Sequence, residues 1–104
     1  MTTPTQRSKA HLQKLGYTVA ITERWNQWAK IRQDLFGFVD LLAIRKGETL
    51  AVQTTTGDNV AARIHKIADH PNLPAVRDAG WRIVVHGWRK NAAGRWVLRE
   101  EDIS

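Results

Sequence analysis

The sequence predicts one α/β domain over residues 1 to 104, built on a mixed central sheet. Helix-like segments alternate with short apolar, β-branched segments, which is typical of an α/β fold. A helical segment separates the third strand from the fourth, and such a connection requires a crossover. A chain of 104 residues has room for one modest core. The expected order is α-β-β-β-α-β, followed by a C-terminal β-hairpin.

The first helix is expected to begin at Pro4. Thr3 can cap it, Pro4 suits the first helical position, and Gln6 completes a capping box. Gly16 is expected as the C-cap. The next segment, Tyr17 to Glu23, alternates and is rich in β-branched residues, so it is predicted to be the first strand.

Residues 24 to 36 interleave basic and aromatic side chains. Lys30 and Arg32 are expected to contact phosphates, while Trp25 and Trp28 pack or stack through their indole rings. The alternative is a loop that at least one of the two Trp rings attaches to the core. Both interpretations remain open from the sequence.

The centre of the chain is predicted to be a β-hairpin. Its strands run roughly from Phe38 to Ile44 and from Thr49 to Thr55, around a polar turn that contains Gly47. Asp40 is a carboxylate inside an otherwise apolar strand. Because an unpaired buried carboxylate is costly, Asp40 needs a partner. That partner is either a nearby backbone N–H or a metal ion.

A second helix is expected to start at the turn of residues 56 to 59 and to end near Asp69. Apolar residues recur along it at helical spacing. Pro71 and Pro74 are predicted to end it. Ala75 to Ala79 then forms one or two helical turns.

The last third of the chain is predicted to be mostly strand. Trp81 to Trp88 is expected to be a core strand, and Arg89 to Gly94 a polar turn. Arg95 to Arg99 forms a final short strand around Trp96. These two strands make the C-terminal hairpin.

Composition favours a polyanionic partner, most simply nucleic acid. The formal net charge is +6, and residues 1 to 99 carry 16 Lys and Arg against seven acids. Ordinary solubility is the alternative explanation of that charge. The chain has no cysteine, which excludes disulfides and thiolate zinc sites. It has no apolar segment long enough for a membrane span and no signal peptide, so a cytoplasmic location is expected.

The two strands of the central hairpin resemble the motif of the PD-(D/E)XK nuclease superfamily, an Asp strand followed by a strand ending in Glu-x-Lys. The superfamily includes restriction endonucleases and archaeal-type Holliday junction resolvases. Asp40 matches the Asp, but Gln53 stands in the Glu position and Thr55 in the Lys position. Small phage-type proteins that read Asp-Leu-Phe-Gly-Phe-x-Asp are also similar. The resemblance extends to the order of elements between about residues 5 and 88.

The resemblance implies a restriction-endonuclease-like fold and a metal-dependent endonuclease that hydrolyses DNA, with branched or junction DNA as one expected substrate. Mg²⁺ is the expected cofactor and Mn²⁺ a substitute. Asp40 would be the principal ligand, Gln53 would bind through its amide oxygen, and Thr55 occupies the lysine position. Lys66 on the second helix, or Arg63, would supply the missing cation and contact DNA. Both are equally well explained as a solvated basic face.

Two further acids remain open. The first helix lacks the acid that resolvase-like nucleases often carry there. Glu23 would replace it as a metal ligand, or it is a solvated strand end paired with Arg24. Asp34 either caps the turn at Gly37 or approaches the same cation.

The substituted motif has a second implication. Gln53 together with Thr55 is equally typical of a degenerate nuclease fold that only binds DNA or assembles with it. A homodimer is expected, because cutting both strands of a duplex needs two sites and five Trp residues exceed what one small core readily hides. Its interface is predicted on the terminal hairpin, with Trp88 and Trp96, or on the segment with Trp25 and Trp28. The alternative for each ring is that it covers an edge of the monomer core.

Overall fold

The computed structural model describes residues 2 to 104 and confirms an α/β fold with a mixed five-stranded sheet. A single 3₁₀ turn, Gly57–Asn59, precedes the second helix. The helices and strands in chain order are α1 (Pro4–Lys14), β1 (Thr18–Ile21), β2 (Arg24–Asn26), β3 (Ile31–Gln33), β4 (Leu41–Arg45), β5 (Glu48–Thr56), α2 (Val60–Ala68), α3 (Leu73–Asp78), β6 (Arg82–Lys90) and β7 (Trp96–Asp102).

The sheet has the strand order β1-β4-β5-β6-β7. Strands β1, β4 and β5 are antiparallel, whereas β5 and β6 are parallel. The parallel pair follows from the crossover through α2 and α3, as expected. Strands β6 and β7 form the predicted C-terminal hairpin. Strands β2 and β3 pair only with each other, as a separate two-stranded ribbon.

Both faces of the sheet are covered by helices. Leu50 and Val52 of β5 pack in the cluster that contains Leu12 of α1. Ala51, between them, packs in the other cluster with Val60 of α2. Because side chains alternate along a strand, one buried strand serves two cores. Among residues 2 to 104, no helix is long and apolar enough to cross a membrane.

The first helix begins as predicted. Gln6 donates its backbone N–H to Thr3 Oγ1 at 3.2 Å, and Thr3 returns its own N–H to the Gln6 side chain at 3.2 Å. The helix ends at Lys14, and Gly16 follows with φ +91°. This capping box fixes the start of α1 beside the end of β5.

Strand boundaries in the first half differ from the prediction. Strand β1 is shorter than Tyr17 to Glu23, and β4 begins at Leu41 rather than Phe38. Asp40 thus lies immediately before β4, although its N–H still bonds the Val52 carbonyl at 2.8 Å. Residues 24 to 36 contain the β2–β3 ribbon, where no strand was expected. The reason is that three-residue strands are too short to show an alternating pattern.

The second half of the chain differs from the prediction in two places. Pro74 does not end a helix but lies in the first turn of α3, where its missing N–H is harmless. Strand β7 continues past Arg99 to Asp102. Acidic residues extend it because Glu100 bonds His86 at 2.8 Å and Asp102 bonds Arg82 at 3.1 Å. The bunched C-terminal acids are therefore part of the sheet.

Trp88 corrects the predicted dimer surface. Its side chain is only 8% exposed, and its indole N–H donates to Ser8 Oγ at 2.8 Å. Ser8 also bonds the buried His86 ring at 2.9 Å, so α1 is attached to β6 by a polar network in the core. Trp96 remains partly exposed, with the Arg7 guanidinium stacked on its ring at 3.3 Å. Trp88 therefore takes the second of its two predicted roles, a ring that covers an edge of the monomer core.

Candidate metal site in the cleft

An open cleft of about 740 Å³ lies at the C-terminal end of β5. The first turn of α1 forms one wall, and α2 contributes Arg63 and Lys66. Gln53 and Thr55 of β5 line it, as the hairpin pattern predicts. Thr55 is buried and carries no charge into the lysine position.

Three carboxylates converge in this cleft. Glu23 follows β1, Asp34 follows β3, and Asp40 precedes β4. One oxygen of each lies within 4.8 Å of the other two. Each acid stands at the end of an element, where the backbone leaves the sheet and its side chain can turn into the cleft. Asp34 therefore takes the second of its two predicted roles, an approach to the same site as Asp40.

A turn carries Asp34 into this position. The Gly37 N–H bonds the Asp34 carbonyl at 3.0 Å, so the backbone folds back between the two aspartates. Gly37 has φ +88°, and a Cβ there would collide with the His70 ring. Any other residue in this turn would have to displace the His70 ring and adopt a strained, left-handed backbone conformation.

Asp40 is the most buried of the three acids, with 3% of its surface exposed. Its Oδ2 accepts hydrogen bonds from Gln53 Nε2 at 2.6 Å and from Thr54 N and Oγ1 at 2.8 and 3.2 Å. All three of these donors bond Oδ2, and a second carboxylate, Asp34, lies close on the cleft side. The predicted backbone N–H partner is present, yet it satisfies only one side of the carboxylate.

Burial raises the pKa of Asp40 to about 8. The Thr54 N–H opposes this shift, whereas the neighbouring Asp34 and Glu23 reinforce it. A carboxylate with this pKa holds a proton at neutral pH in the absence of a cation. A divalent ion among the three acids would replace that proton and favour the charged form.

The donor set fits a hard divalent cation. All three acids offer oxygen ligands, which Mg²⁺ and Mn²⁺ prefer. Ligands lie about 2.1 Å from Mg²⁺, so two opposite ligands are about 4 Å apart. The spacing of up to 4.8 Å therefore requires only small side-chain movements. The residues could hold such an ion.

Glu23 has partners other than the predicted Arg24. Thr5 Oγ1 donates to it at 3.2 Å, and Arg32 reaches it at 3.8 Å. Thr5 also bonds Thr54 Oγ1 at 2.8 Å. The first turn of α1 thus contributes a hydroxyl that orients Glu23. The sequence analysis missed Thr5; the capping box, which places it in the first turn, was the available signal.

Gln53 directs its amide nitrogen at Asp40, so it acts here as a donor that holds the aspartate. Metal binding through Gln53 would require its amide oxygen, and that role stays a prediction. Arg63, Lys66 and Arg32 also line the cleft, and their contacts with DNA stay predictions. Lys30 and Trp28 do not line it and lie on the β2–β3 ribbon.

No protein-family model matches the chain, and no curated protein matches it. The resemblance to the PD-(D/E)XK superfamily therefore stays a prediction from the motif. What the protein does has to be inferred from the residues in the cleft.

Proposed function

We propose that the protein is a divalent-metal-dependent endonuclease that hydrolyses DNA phosphodiester bonds, with the PD-(D/E)XK superfamily as its family. The observation that carries this proposal is the convergence of Glu23, Asp34 and Asp40 within 4.8 Å. Basic side chains line the same cleft. Carboxylates for a metal and cations for a phosphate are what phosphodiester hydrolysis requires.

The element order supports the family assignment. Without the β2–β3 ribbon, the order from α1 to β6 is αβββα(α)β, with Asp40 immediately before β4 and Gln53 on the neighbouring β5. Asp40 and Gln53 are in direct contact at 2.6 Å, as two residues of one motif would be. The order of elements alone does not establish a reaction, so the proposal depends on the residues in the cleft as well.

Different residues of the cleft would have different roles in the reaction. Asp40, Asp34 and Glu23 would hold Mg²⁺ or Mn²⁺, which polarises the phosphate and activates water when bound. Gln53 and the Thr54 N–H fix the orientation of Asp40. Lys66, on the wall of the cleft, would stabilise negative charge that develops on the phosphate.

DNA binding would rest on the basic residues around the acids. Arg32, Arg63 and Lys66 line the cleft, and the whole chain carries a formal net charge of +6. Phosphate contacts of this kind give affinity without sequence preference and weaken with salt. Lys30 and Trp28 would contribute from the ribbon outside the cleft.

One observation favours a second candidate, a DNA-binding or assembly module without catalysis. Thr55 is buried in the lysine position, and the Gln53 amide faces Asp40 as a donor. Gln53 and Thr55 are both uncharged where the motif has Glu and Lys. Lys66 restores a cation from α2, so the catalytic proposal is retained as the first.

A homodimer stays part of the proposal, because cutting both strands of a duplex requires two sites. Trp88 is buried, but β7 remains the free edge of the sheet and can pair with a second copy. Light scattering with and without DNA measures this. A mass near one chain in both conditions would end the dimer part of the proposal.

The direct test is incubation with linear duplex, single-stranded and four-way-junction DNA, with Mg²⁺, Mn²⁺ or a chelator. We expect metal-dependent cleavage of at least one substrate by the wild type and none by Asp40→Asn. Cleavage by Asp40→Asn at the wild-type rate would remove the cleft from the mechanism. DNA binding by both proteins without any cleavage would establish the binding module.

A further inference from the structure

The β2–β3 ribbon, residues 24 to 33, exposes more aromatic surface than any packing need explains. Trp28 at its tip is 90% exposed and Trp25 is 62% exposed. Ile31 is half exposed on the opposite face of the ribbon, because it pairs with Asn26 whereas Trp25 pairs with Arg32. Large apolar side chains left this exposed indicate an interaction surface. The sequence-based alternative, a loop attached to the core by its Trp rings, is wrong for Trp28.

The tip that carries Trp28 is ordered by hydrogen bonds. Asn26 Oδ1 accepts the backbone N–H groups of Trp28 and Ala29, each at 3.0 Å. Lys30 then closes the turn in the left-handed region, with φ +53°. Because the turn is fixed by its own side chain, the Trp28 indole is presented before any partner arrives. Such preorganisation reduces the entropic cost of binding.

Charge identifies the kind of partner. The ribbon carries three basic residues, Arg24, Lys30 and Arg32, and no acidic one. Trp25 lies opposite Arg32 in the ribbon register, so the indole and the guanidinium share one face. A polyanion with flat, unpaired rings matches both features. A second copy of the ribbon would offer indole rings but fails on charge, because it would bring six cations together.

We propose that this ribbon binds unpaired bases of a DNA strand, which stack on Trp28 and Trp25 while the basic residues contact the adjacent phosphates. Bases inside a continuous duplex stack on each other and offer no free face to an indole. Arg32 belongs to the ribbon and also reaches Glu23 at 3.8 Å, so a bound strand continues into the cleft. The substrate class is therefore DNA with unpaired bases beside the cut. This last step rests on the proposed nuclease function, whereas base stacking does not.

The test measures binding without divalent metal, using one fluorescent oligonucleotide as a single strand and as a duplex. We expect Trp28→Ala to weaken single-strand binding about tenfold, within the range for one lost base stack. Duplex binding should change little, and Trp28→Phe should retain most of the affinity. Trp96→Ala is the matched control, because Trp96 is an exposed indole on β7 and should leave the single-strand preference unchanged.

Three results would overturn the inference. They are equal losses on single strand and duplex, no loss with Trp28→Ala, and a wild-type dimer that Trp28→Ala converts to monomer in light scattering. The last would make a second copy the occupant. Intact, Trp28-dependent single-strand binding combined with no cleavage in Mg²⁺ or Mn²⁺ would instead overturn the nuclease proposal and leave the stacking ribbon supported.

Discussion

The two ends of strand β5 place a carboxylate in opposite electrostatic environments. At its start, Glu48 accepts hydrogen bonds from the Tyr17 hydroxyl at 2.7 Å and from Arg45 at 2.8 Å, and it pairs with Arg82. These partners hold the pKa of Glu48 at about 2. Near the other end, beside Thr54, burial raises the pKa of Asp40 to about 8.

The difference lies in what surrounds each acid. Glu48 meets cations and a phenol, so its charge is satisfied by the fold itself. Asp40 accepts hydrogen bonds from Gln53 and Thr54, but it also meets Asp34 and Glu23. Within residues 2 to 104, no cation pairs with Asp40 to offset this repulsion, as Arg45 and Arg82 pair with Glu48. A carboxylate whose charge is paired stabilises the fold, whereas like charges held together in a cleft are typical of functional sites. We infer that one end of β5 is structural and the other is poised for a cation.

The largest expected effect comes from removing the carboxylate at the cleft. Asp40→Asn should reduce metal-dependent cleavage at least about 100-fold, because losing even a partner of a metal ligand costs about 10- to 100-fold. Glu48→Gln, the matched change at the other end, should leave cleavage within about twofold. Gel assays on the preferred substrate measure both. Equal losses in the two variants would mean that the ends do not differ.

The pH dependence of stability should have opposite signs at the two ends. The pKa of Asp40 is raised from 3.8 to about 8, so its contribution to the stability of the metal-free protein is present below pH 3.8 and lost as pH rises towards 8. Asp40→Asn should therefore be more stable than wild type near pH 9, by more than about 1 kcal/mol. The two should be similar near pH 4. Urea unfolding with a chelator present measures this.

Glu48 should show the opposite pH dependence of stability. Its pKa is lowered from 4.5 to about 2, so its contribution is present above pH 4.5 and lost as pH falls towards 2. Glu48→Gln should be less stable than wild type at neutral pH, and the two should converge near pH 2. A Glu48→Gln protein as stable as wild type at pH 7 would contradict the structural role of this end.

Gln53→Glu adds a fourth carboxylate to the cleft, which should change both the metal affinity and the stability of the metal-free protein. The change removes the Nε2 donor that Asp40 accepts at 2.6 Å, so the metal-free protein should lose stability. Metal affinity should rise about tenfold, because ligand charge strengthens binding of hard cations. Calorimetric titration and thermal unfolding with and without Mg²⁺ measure the two effects. Unchanged metal affinity would show that residue 53 does not face the ion.

The smallest effect is expected at Lys66. Lys66→Ala should remove one phosphate contact and lower the slope of log K against log salt by about one, for all DNA sequences alike. Lys46, in the turn next to Glu48, is the matched control, and Lys46→Ala should leave the slope unchanged. Anisotropy titrations at several salt concentrations measure it. An equal change in both variants would place DNA away from the cleft.

The sequence predicts the fold well because its signals are local. Capping at Thr3 and the apolar, β-branched strands each lie within one segment, and the crossover follows from their order. Asp40 is also predictable, since a carboxylate inside an apolar strand requires a partner. Gln53 is found beside it because paired strands bring their residues together.

The rest of the site depends on tertiary contacts that no local pattern reveals. Asp34 reaches Asp40 only because the backbone turns back at Gly37, and Thr5 reaches Glu23 only because α1 docks beside β5. The choice between interface and core for Trp88 depends on a distant contact in the same way. The strand pattern predicts a core strand up to Trp88, but the partner of its indole N–H, Ser8, is 80 positions away in sequence.

Metal titration by calorimetry tests the central claim most directly, with wild type, Asp40→Asn and Glu48→Gln measured side by side. The account predicts that wild type and Glu48→Gln bind one Mg²⁺ or Mn²⁺ at up to millimolar concentration and release a proton, because Asp40 is protonated at neutral pH in the metal-free state. Asp40→Asn should lose this binding. Absence of metal binding by the wild type at millimolar concentration with DNA present, or equal binding by Asp40→Asn, would contradict the account.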